Sequence, residues 1–170
     1  MKKKIIILGS TGSIGIKTFN IFKQDKKNFQ VILLSTNSNL KKIINQAKEL
    51  NVKNIIVNNN KVFNLAKKNK NLKSINIYNN FDEIKKIIKT RNIYYSMISV
   101  TGLDGLKPTI LLSRFSKNLA IVNKESLICG WDLINKNLKK YKTNFVPIDS
   151  EHFSIYTLLK NYSLDDIEKI

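Results

Sequence analysis

The sequence predicts an α/β fold built on a doubly wound, mostly parallel sheet. Three observations carry this expectation. Short β-branched runs alternate with amphipathic segments along the whole chain, the intervening segments are long enough for right-handed crossovers, and a glycine-rich turn follows the first apolar run directly.

Lys4 to Leu8 is a continuous β-branched run, as expected of a strand buried on both faces. Ser13 to Gln24 follows with Ile14, Phe19, Ile21 and Phe22 at near-helical spacing. Phe29 to Leu34 reads as a second strand. Leu40 to Leu50 reads as a helix with Ile43, Ile44, Ala47 and Leu50 on one face. Strand Asn54 to Val57, helix Val62 to Lys68, strand Ser74 to Tyr78 and helix Asp82 to Lys89 continue the alternation. Strand Tyr94 to Val100, helix Leu106 to Ser116, strand Asn118 to Val122, helix Leu127 to Lys139 and strand Asn144 to Ile148 complete it. His152 to Leu159 is expected as a last helix, and Ile167 to Ile170 as the start of a further strand. No internal repeat or linker divides the 170 residues.

Hydrophobic residues make up 42% of the chain, enough for a packed core and too many for a disordered one. The net charge of +18, from 30 Lys and Arg against 12 Asp and Glu, raises the question of nucleic acid. Only Arg91 and Arg114 carry the guanidinium suited to phosphate and base edges, and the lysines are dispersed. No specific nucleic-acid partner is therefore expected, only weak polyanion binding at low salt. The Lys/Asn/Ile excess, as in Asn58-Asn59-Asn60, is that of a drifted, AT-rich, reduced bacterial genome. No apolar run approaches the roughly 20 residues a membrane helix needs. The run Ile5 to Leu8 after Met1-Lys2-Lys3-Lys4 is too short for a signal peptide, and the glycine turn leaves no room for a transit peptide. A cytoplasmic bacterial protein is expected. The single cysteine, Cys129, excludes an intrachain disulfide, and its apolar setting Leu127-Ile128-Cys129-Gly130 predicts a buried, structural thiol.

Gly9-Ser10-Thr11-Gly12-Ser13-Ile14-Gly15 is a G-x-x-G-x-x-G form of the dinucleotide fingerprint. Gly9 permits the tight turn, Gly12 lets the backbone approach a pyrophosphate, and Gly15 allows close packing of helix on sheet. Backbone N–H groups at the helix start then face the anion, with hydroxyl donors from Thr11 and Ser13. The second strand ends in Ser35-Thr36-Asn37-Ser38-Asn39, without the acid that would bond a ribose 2′-hydroxyl in an NAD site. Hydroxyls, amides and nearby Lys41 and Lys42 suit a 2′-phosphate, so NADPH is favoured over NADH. The same residues also suit a turn and a helix cap, and both roles are compatible.

Two further segments stand where a strand's carboxyl end meets a loop. They are Asn123-Lys124-Glu125-Ser126-Leu127 and Pro147-Ile148-Asp149-Ser150-Glu151-His152. In extended backbone Asp149 and Glu151 project to one side, where two carboxylates call for a cation between them, and Mg²⁺ or Mn²⁺ fits oxygen ligands. The only histidine, His152, either orients a ligand or serves a structural role.

Together the initial G-S-T-G-S-I-G, the central N-K-E-S-L and the following P-I-D-S-E-H resemble the 1-deoxy-D-xylulose 5-phosphate reductoisomerase family. Val100 to Thr109, V-T-G-L-D-G-L-K-P-T, is similar to that family's G-x-x-G-L-x-P-T stretch. The resemblance implies a Rossmann-like NADP-binding domain over residues 1–150 and the start of a catalytic, metal-binding region over 151–170. It implies conversion of 1-deoxy-D-xylulose 5-phosphate to 2-C-methyl-D-erythritol 4-phosphate, a step of isoprenoid precursor synthesis. Thr11, Gly12, Ser13 and Ile14 would hold the cofactor phosphates. Asn37, Ser38 and Asn39 would face the adenosine ribose and its 2′-phosphate, although many relatives have Gly-Lys or Gly-Arg at Asn37-Ser38. Asn123 and Glu125 would line the nicotinamide side. Lys124 and Ser150 would contact the phosphorylated, sugar-like substrate. Asp149 and Glu151 would ligate Mg²⁺, Mn²⁺ or Co²⁺, Glu151 thereby also counting as catalytic. Family members continue past this length with a further acidic ligand, the substrate-phosphate pocket and most of a homodimer contact. The 170 residues alone are thus expected to be inactive. Two alternatives compete: a non-catalytic NADP-binding module, and a semialdehyde dehydrogenase, for which Cys129 has no base near it in sequence.

Overall fold

A computed structural model describes residues 1–159 and Tyr162; the strand expected at Ile167 to Ile170 lies outside the described residues. The strands are β1 (Lys3–Leu8), β2 (Phe29–Thr36), β3 (Asn54–Val57), β4 (Asn76–Tyr78), β5 (Ile93–Ile98), β6 (Ser116–Ile121) and β7 (Asn144–Pro147). They form one sheet in the order β4-β3-β2-β1-β5-β6-β7, and each neighbouring pair is parallel. The sheet is therefore wholly parallel. The connecting helices are α1 (Ser13–Gln24), α2 (Leu40–Glu49), α3 (Asn60–Lys68), α4 (Ile84–Ile87), α5 (Leu106–Ser113) and α6 (Lys124–Tyr141), with α7 (Ser150–Leu159) after β7.

Burial on both faces explains the β-branched strands. Ile5 and Ile7 join one core cluster with Phe19 of α1 and Ile43 and Ala47 of α2. Ile6 and Leu8 point the other way, to Ile84, Leu111 and Leu112 and to Ile134 and Leu138 of α6. All four of these β1 side chains are fully buried, each worth roughly 1.5–3 kcal/mol relative to exposure. A bulge at Ile32 shifts the β1–β2 register, so that Ile32 and Leu33 both pack on the α4–α6 side.

Strand order reverses between β1 and β5, since β1 leads outward through β2 to β4 and the chain then returns to β5. The carboxyl ends of β1 and β5 diverge into loops there, and such a switch point opens a crevice for ligands.

Several boundaries differ from expectation because polar caps outrank apolar periodicity. Helix α6 begins at Lys124, not Leu127, because Asn123 accepts a hydrogen bond from the Ser126 N–H at 2.7 Å. Helix α3 begins at Asn60, because Asn59 accepts from Val62. The helix expected at Asp82 to Lys89 is a 3₁₀ turn, Phe81–Glu83, followed only by Ile84–Ile87.

Candidate functional site

The turn after β1 is braced from distant parts of the chain. Gly9 has φ +76°, and a Cβ there would meet the Ser99 carbonyl oxygen at 2.3 Å. Its N–H donates to Ser35 Oγ at 2.8 Å. Ser10 Oγ donates to Gln46 Oε1 at 2.7 Å, and Gln46 Nε2 returns a bond to the Ser10 carbonyl at 2.8 Å. Thr11 and Thr36 share a hydroxyl–hydroxyl bond of 2.7 Å, and Ser99 Oγ donates to the Leu8 carbonyl. A Cβ on Gly15 would lie 2.1 Å from the Gly9 carbonyl oxygen, so α1 approaches the turn backbone to backbone. Gly12 differs: it is exposed, in extended backbone, and a Cβ there would meet only Gly9 O, at 3.4 Å.

Helices α2, α3 and α6 are each capped by an asparagine side chain, whereas α1 starts on Gly12 with no side-chain cap. The first-turn N–H groups of α1 thus keep their donors for an external acceptor, at the positive end of the helix dipole. Beside them lies a cleft of about 200 Å³, lined on one side by Gly9, Thr11, Gly12, Thr36 and Asn37. Asn58, Phe81, Ser99, Val100, Thr101 and Asp104 complete it. Ser13 is exposed, while Ile14 packs against the core. Asn37, Ser38 and Asn39 are exposed at the end of β2, and Asn39 also caps α2 through the Lys42 N–H. The cleft and the open α1 terminus fit a dinucleotide.

A second cluster forms at the carboxyl ends of β6 and β7, which pair side by side. It brings the two later motifs together: Lys124 Nζ lies 2.8 Å from Glu151 Oε1. Ser150 Oγ donates to Glu151 Oε2 at 2.8 Å. Asp149 and Glu151 do not lie on extended backbone as expected. Asp149 accepts from the His152 N–H at 3.0 Å and from His152 Nδ1 at 2.6 Å, which starts α7 at Ser150 and places Glu151 in its first turn. His152 thus orients Asp149.

The Lys124 ammonium, with Ser150 and backbone N–H, holds the Glu151 carboxyl down to about 2. Reciprocally, the hydrogen bond to Glu151 raises Lys124. Burial by itself pushes Asp149 up, but the hydrogen bonds and charge of His152 outweigh it and the net shift is downward. Asp149 Oδ2 is buried without a hydrogen-bond partner. A buried carboxylate oxygen in that state is favourable only with a cation or donor against it, so the residue fits a metal ligand. Glu151 would have to exchange Lys124 for the cation. Among the described residues no group of three or more His, Cys, Asp or Glu side chains is assembled.

One further expectation is corrected. Cys129 is exposed, because α6 buries Ser126, Leu127, Gly130, Ile134 and Leu138 on its inner face and the thiol falls outside that stripe. Asn123 is buried with its amide engaged by backbone. It donates to the carbonyls of Val100 and Gly102 and accepts from Ser126, clamping the loop after β5 to the start of α6. Glu125 stays exposed in the first turn of α6.

Asn58, Ser99 and Asp104 of the cleft, and Gln46 behind the turn, were not legible as site residues. Asn58 and Ser99 follow β3 and β5, Asp104 lies in the turn before α5, and Gln46 braces Ser10 from α2; the only signal was the position of Asn58 and Ser99 after strands.

The family model described as 1-deoxy-D-xylulose 5-phosphate reductoisomerase matches residues 5–130. The 1-deoxy-D-xylulose 5-phosphate reductoisomerase of Pelagibacter ubique is 53% identical over 169 residues, covering 99% of this chain and 44% of that protein. Its Thermotoga maritima counterpart is 32% identical, with 99% and 42% covered. Among solved structures, the reductoisomerase from Zymomonas mobilis in complex with NADPH superposes with a TM-score of 0.80 at 29% identity, over 89% of this chain and 40% of that one. A reductoisomerase in complex with NADPH, fosmidomycin and magnesium gives 0.81 at 28% identity, over 91% and 38%. The chain spans less than half the length of these relatives.

Proposed function

The chain belongs to the 1-deoxy-D-xylulose 5-phosphate reductoisomerase family, and we propose on that premise that it forms the NADPH-binding half of such an enzyme. The observation that carries this is the uncapped start of α1 beside the switch-point cleft.

In this reading the backbone of Thr11, Gly12, Ser13 and Ile14 binds the cofactor's pyrophosphate. Asn37, Ser38 and Asn39 bind the adenosine ribose and its 2′-phosphate, with Lys41 and Lys42 adding positive charge. Asn123 and Glu125 line the nicotinamide side, and Asn123 also holds the loop after β5 in place. Lys124 and Ser150 contact the phosphorylated substrate, Lys124 orienting it through its ammonium donors. Asp149 and Glu151 hold Mg²⁺ or Mn²⁺, and His152 keeps the Asp149 carboxylate ionised and aimed. When bound, the cation supplies Lewis acidity at the substrate's carbonyl and hydroxyl oxygens, and the cofactor supplies a hydride. Residues 1–150 form the cofactor domain, and 151–170 open the catalytic region. The complete enzyme works as a homodimer in the bacterial cytoplasm, with no specific nucleic-acid partner; no helix among the described residues is long and apolar enough to cross a membrane.

Fluorescence titration with both reduced cofactors tests the reading. NADPH is expected to bind at least tenfold more tightly than NADH, because no carboxylate at the end of β2 opposes the 2′-phosphate. Equal affinities, or a preference for NADH, would overturn it.

A further inference from the structure

We propose that the edge of the sheet opposite the cleft binds single-stranded nucleic acid without sequence preference, its cations meeting phosphates and its rings meeting bases. In a wholly parallel sheet all strands start on one side. Five of them start nearly level. Lys3 of β1 stands opposite Phe29 of β2, Lys4 opposite Ile93 of β5, Ile93 opposite Ser116 of β6, and Asn118 opposite Asn144 of β7. Each start carries an exposed cation: Lys2 and Lys3 at β1, Lys26 at β2, Arg91 at β5, Lys117 at β6 and Lys142 at β7. Lysines dispersed in sequence are thus gathered by the fold. Five strands at a spacing of about 4.8 Å give a rim about 20 Å long, the scale of a few nucleotides.

The acids on this side are already engaged. Glu49 pairs with Lys23, and Asp25 accepts from the backbone and side chain of Asn28. Among the described residues none of the rim cations has a carboxylate partner. Lys26 donates to the Glu49 carbonyl and Arg91 to the Lys142 carbonyl. Lys3 Nζ instead lies 4.5 Å from the centroid of the Tyr94 ring, and Lys117 Nζ lies 6.0 Å from the same centroid. One ring therefore gathers two ammonium groups with no carboxylate beside them, an arrangement that like-charge repulsion disfavours and a phosphate relieves. Helix dipoles account for lysines at helix ends, such as Lys142, but not for Lys2, Lys3 or Lys117, which lie before or within strands. Next to these cations a hollow of about 400 Å³ is lined by Lys2, Lys26, Glu49 and the half-buried rings of Phe22 and Phe29. A base swung out of a single strand can stack on such rings, whereas a duplex keeps its bases inside. A lipid headgroup or an acidic peptide would satisfy the charges and leave the rings idle. The scarcity of arginine weighs against reading base edges, but not against phosphate contact and stacking.

The test is fluorescence anisotropy of a labelled oligouridylate of about ten nucleotides with the 170-residue chain, over a salt series and with saturating NADPH present. Binding is expected to weaken steeply with salt and to be unaffected by NADPH, whose proposed cleft lies at the other end of the strands. Lys3→Gln combined with Lys117→Gln should weaken binding about tenfold at ~0.1 M salt and lower the logarithmic salt slope by about 1.4, for two phosphate contacts at ~0.7 each. Lys85→Gln combined with Lys107→Gln removes the same charge from α4 and α5 and should change affinity by less than about twofold. Phe29→Leu should weaken binding about fivefold without changing the slope, and the Lys3/Lys117 variant carries the test if this one does not fold. Equal effects of the two lysine pairs would overturn the proposal, since binding would then follow net charge alone. Displacement of the oligonucleotide by NADPH would overturn it by placing the strand in the cleft. Binding of phosphatidylglycerol vesicles or polyglutamate as tight as that of the oligonucleotide, or no oligonucleotide binding at low salt, would overturn it as well.

Discussion

The turn after β1 and the segment after β7 both sit at the carboxyl edge of one sheet, yet they are built differently. The first is braced by Ser35, Thr36, Gln46 and Ser99, and Gly9 and Gly15 are packed against backbone. The second leads into α7, a helix with no buried side chain among its described residues and with Phe153, Ile155, Tyr156 and Leu158 exposed. Its ion pair, Lys124–Glu151, is itself solvent-exposed. The first region is held in shape by its own hydrogen bonds before any ligand arrives. Among the described residues the second holds its donors in place but leaves them open to solvent. Preorganised binding needs the former, whereas Lewis-acid chemistry and hydride transfer need an enclosed substrate.

The largest effect expected from this difference is on turnover. With 1-deoxy-D-xylulose 5-phosphate, NADPH and Mg²⁺, the 170-residue chain should show no measurable NADPH oxidation. The chain extended by a relative's remaining residues should be active by several orders of magnitude more. In the active version Asp149→Asn should lower the metal-dependent rate far more than NADPH affinity. Substantial activity from the short chain would show that the segment after β7 is more complete than its exposure suggests.

The glycines sharpen the comparison within the first region. Gly12→Val should reduce NADPH affinity at least a hundredfold while leaving the thermal midpoint within a few degrees, since its Cβ would make only an ordinary contact, with Gly9 O at 3.4 Å. Gly15→Val should instead unfold or strongly destabilise the chain, because its Cβ would meet backbone at 2.1 Å. Thermal melts run beside the titrations separate the two; a Gly12→Val chain that melts like Gly15→Val would make the turn merely structural.

Gln46→Leu is expected to cost about 1–3 kcal/mol in chemical denaturation, since the Ser10 hydroxyl and carbonyl would both lose a buried partner. NADPH affinity should fall as well, through the loosened turn. A neutral result would show that the bracing is dispensable.

The smallest effect concerns the exposed pair. Replacing Lys124 by Met should raise the Glu151 carboxyl from about 2 part of the way toward its ordinary 4.5, since the Ser150 and backbone hydrogen bonds remain, read by NMR of the side-chain carboxyl. The sign follows from the depressed value: whatever stability the pair contributes is present above about pH 4.5 and is lost as pH falls toward 2. Because the pair is fully exposed, overall stability should hardly respond, in contrast to Gln46→Leu.

Much of the first region was legible because its signals are local. Glycines at three-residue spacing after a β-branched run need no tertiary partner to be recognised, and the strand and helix alternation followed from periodicity. The bracing was not legible, since Gln46 and Ser99 lie 36 and 90 residues from the turn atoms they bond. Cys129 was misplaced for a related reason: an apolar neighbourhood in sequence says nothing about which side of α6 faces the sheet. The extended arrangement expected of Asp149 and Glu151 failed because His152 closes a capping turn on Asp149, and a cap converts i and i+2 from one side of a strand to divergent positions on a helix.

By itself the sequence determined the parallel α/β class, the glycine turn and the identity of the motifs at the strand ends, because period, β-branching and glycine content act on neighbouring residues. Tertiary structure alone decided which side chains meet. It brought Lys124 to Glu151 and engaged Asn123 with backbone. Those outcomes depend on the order in which parallel strands assemble, and strand order is set by the packing of helices on the two faces rather than by any short stretch of residues.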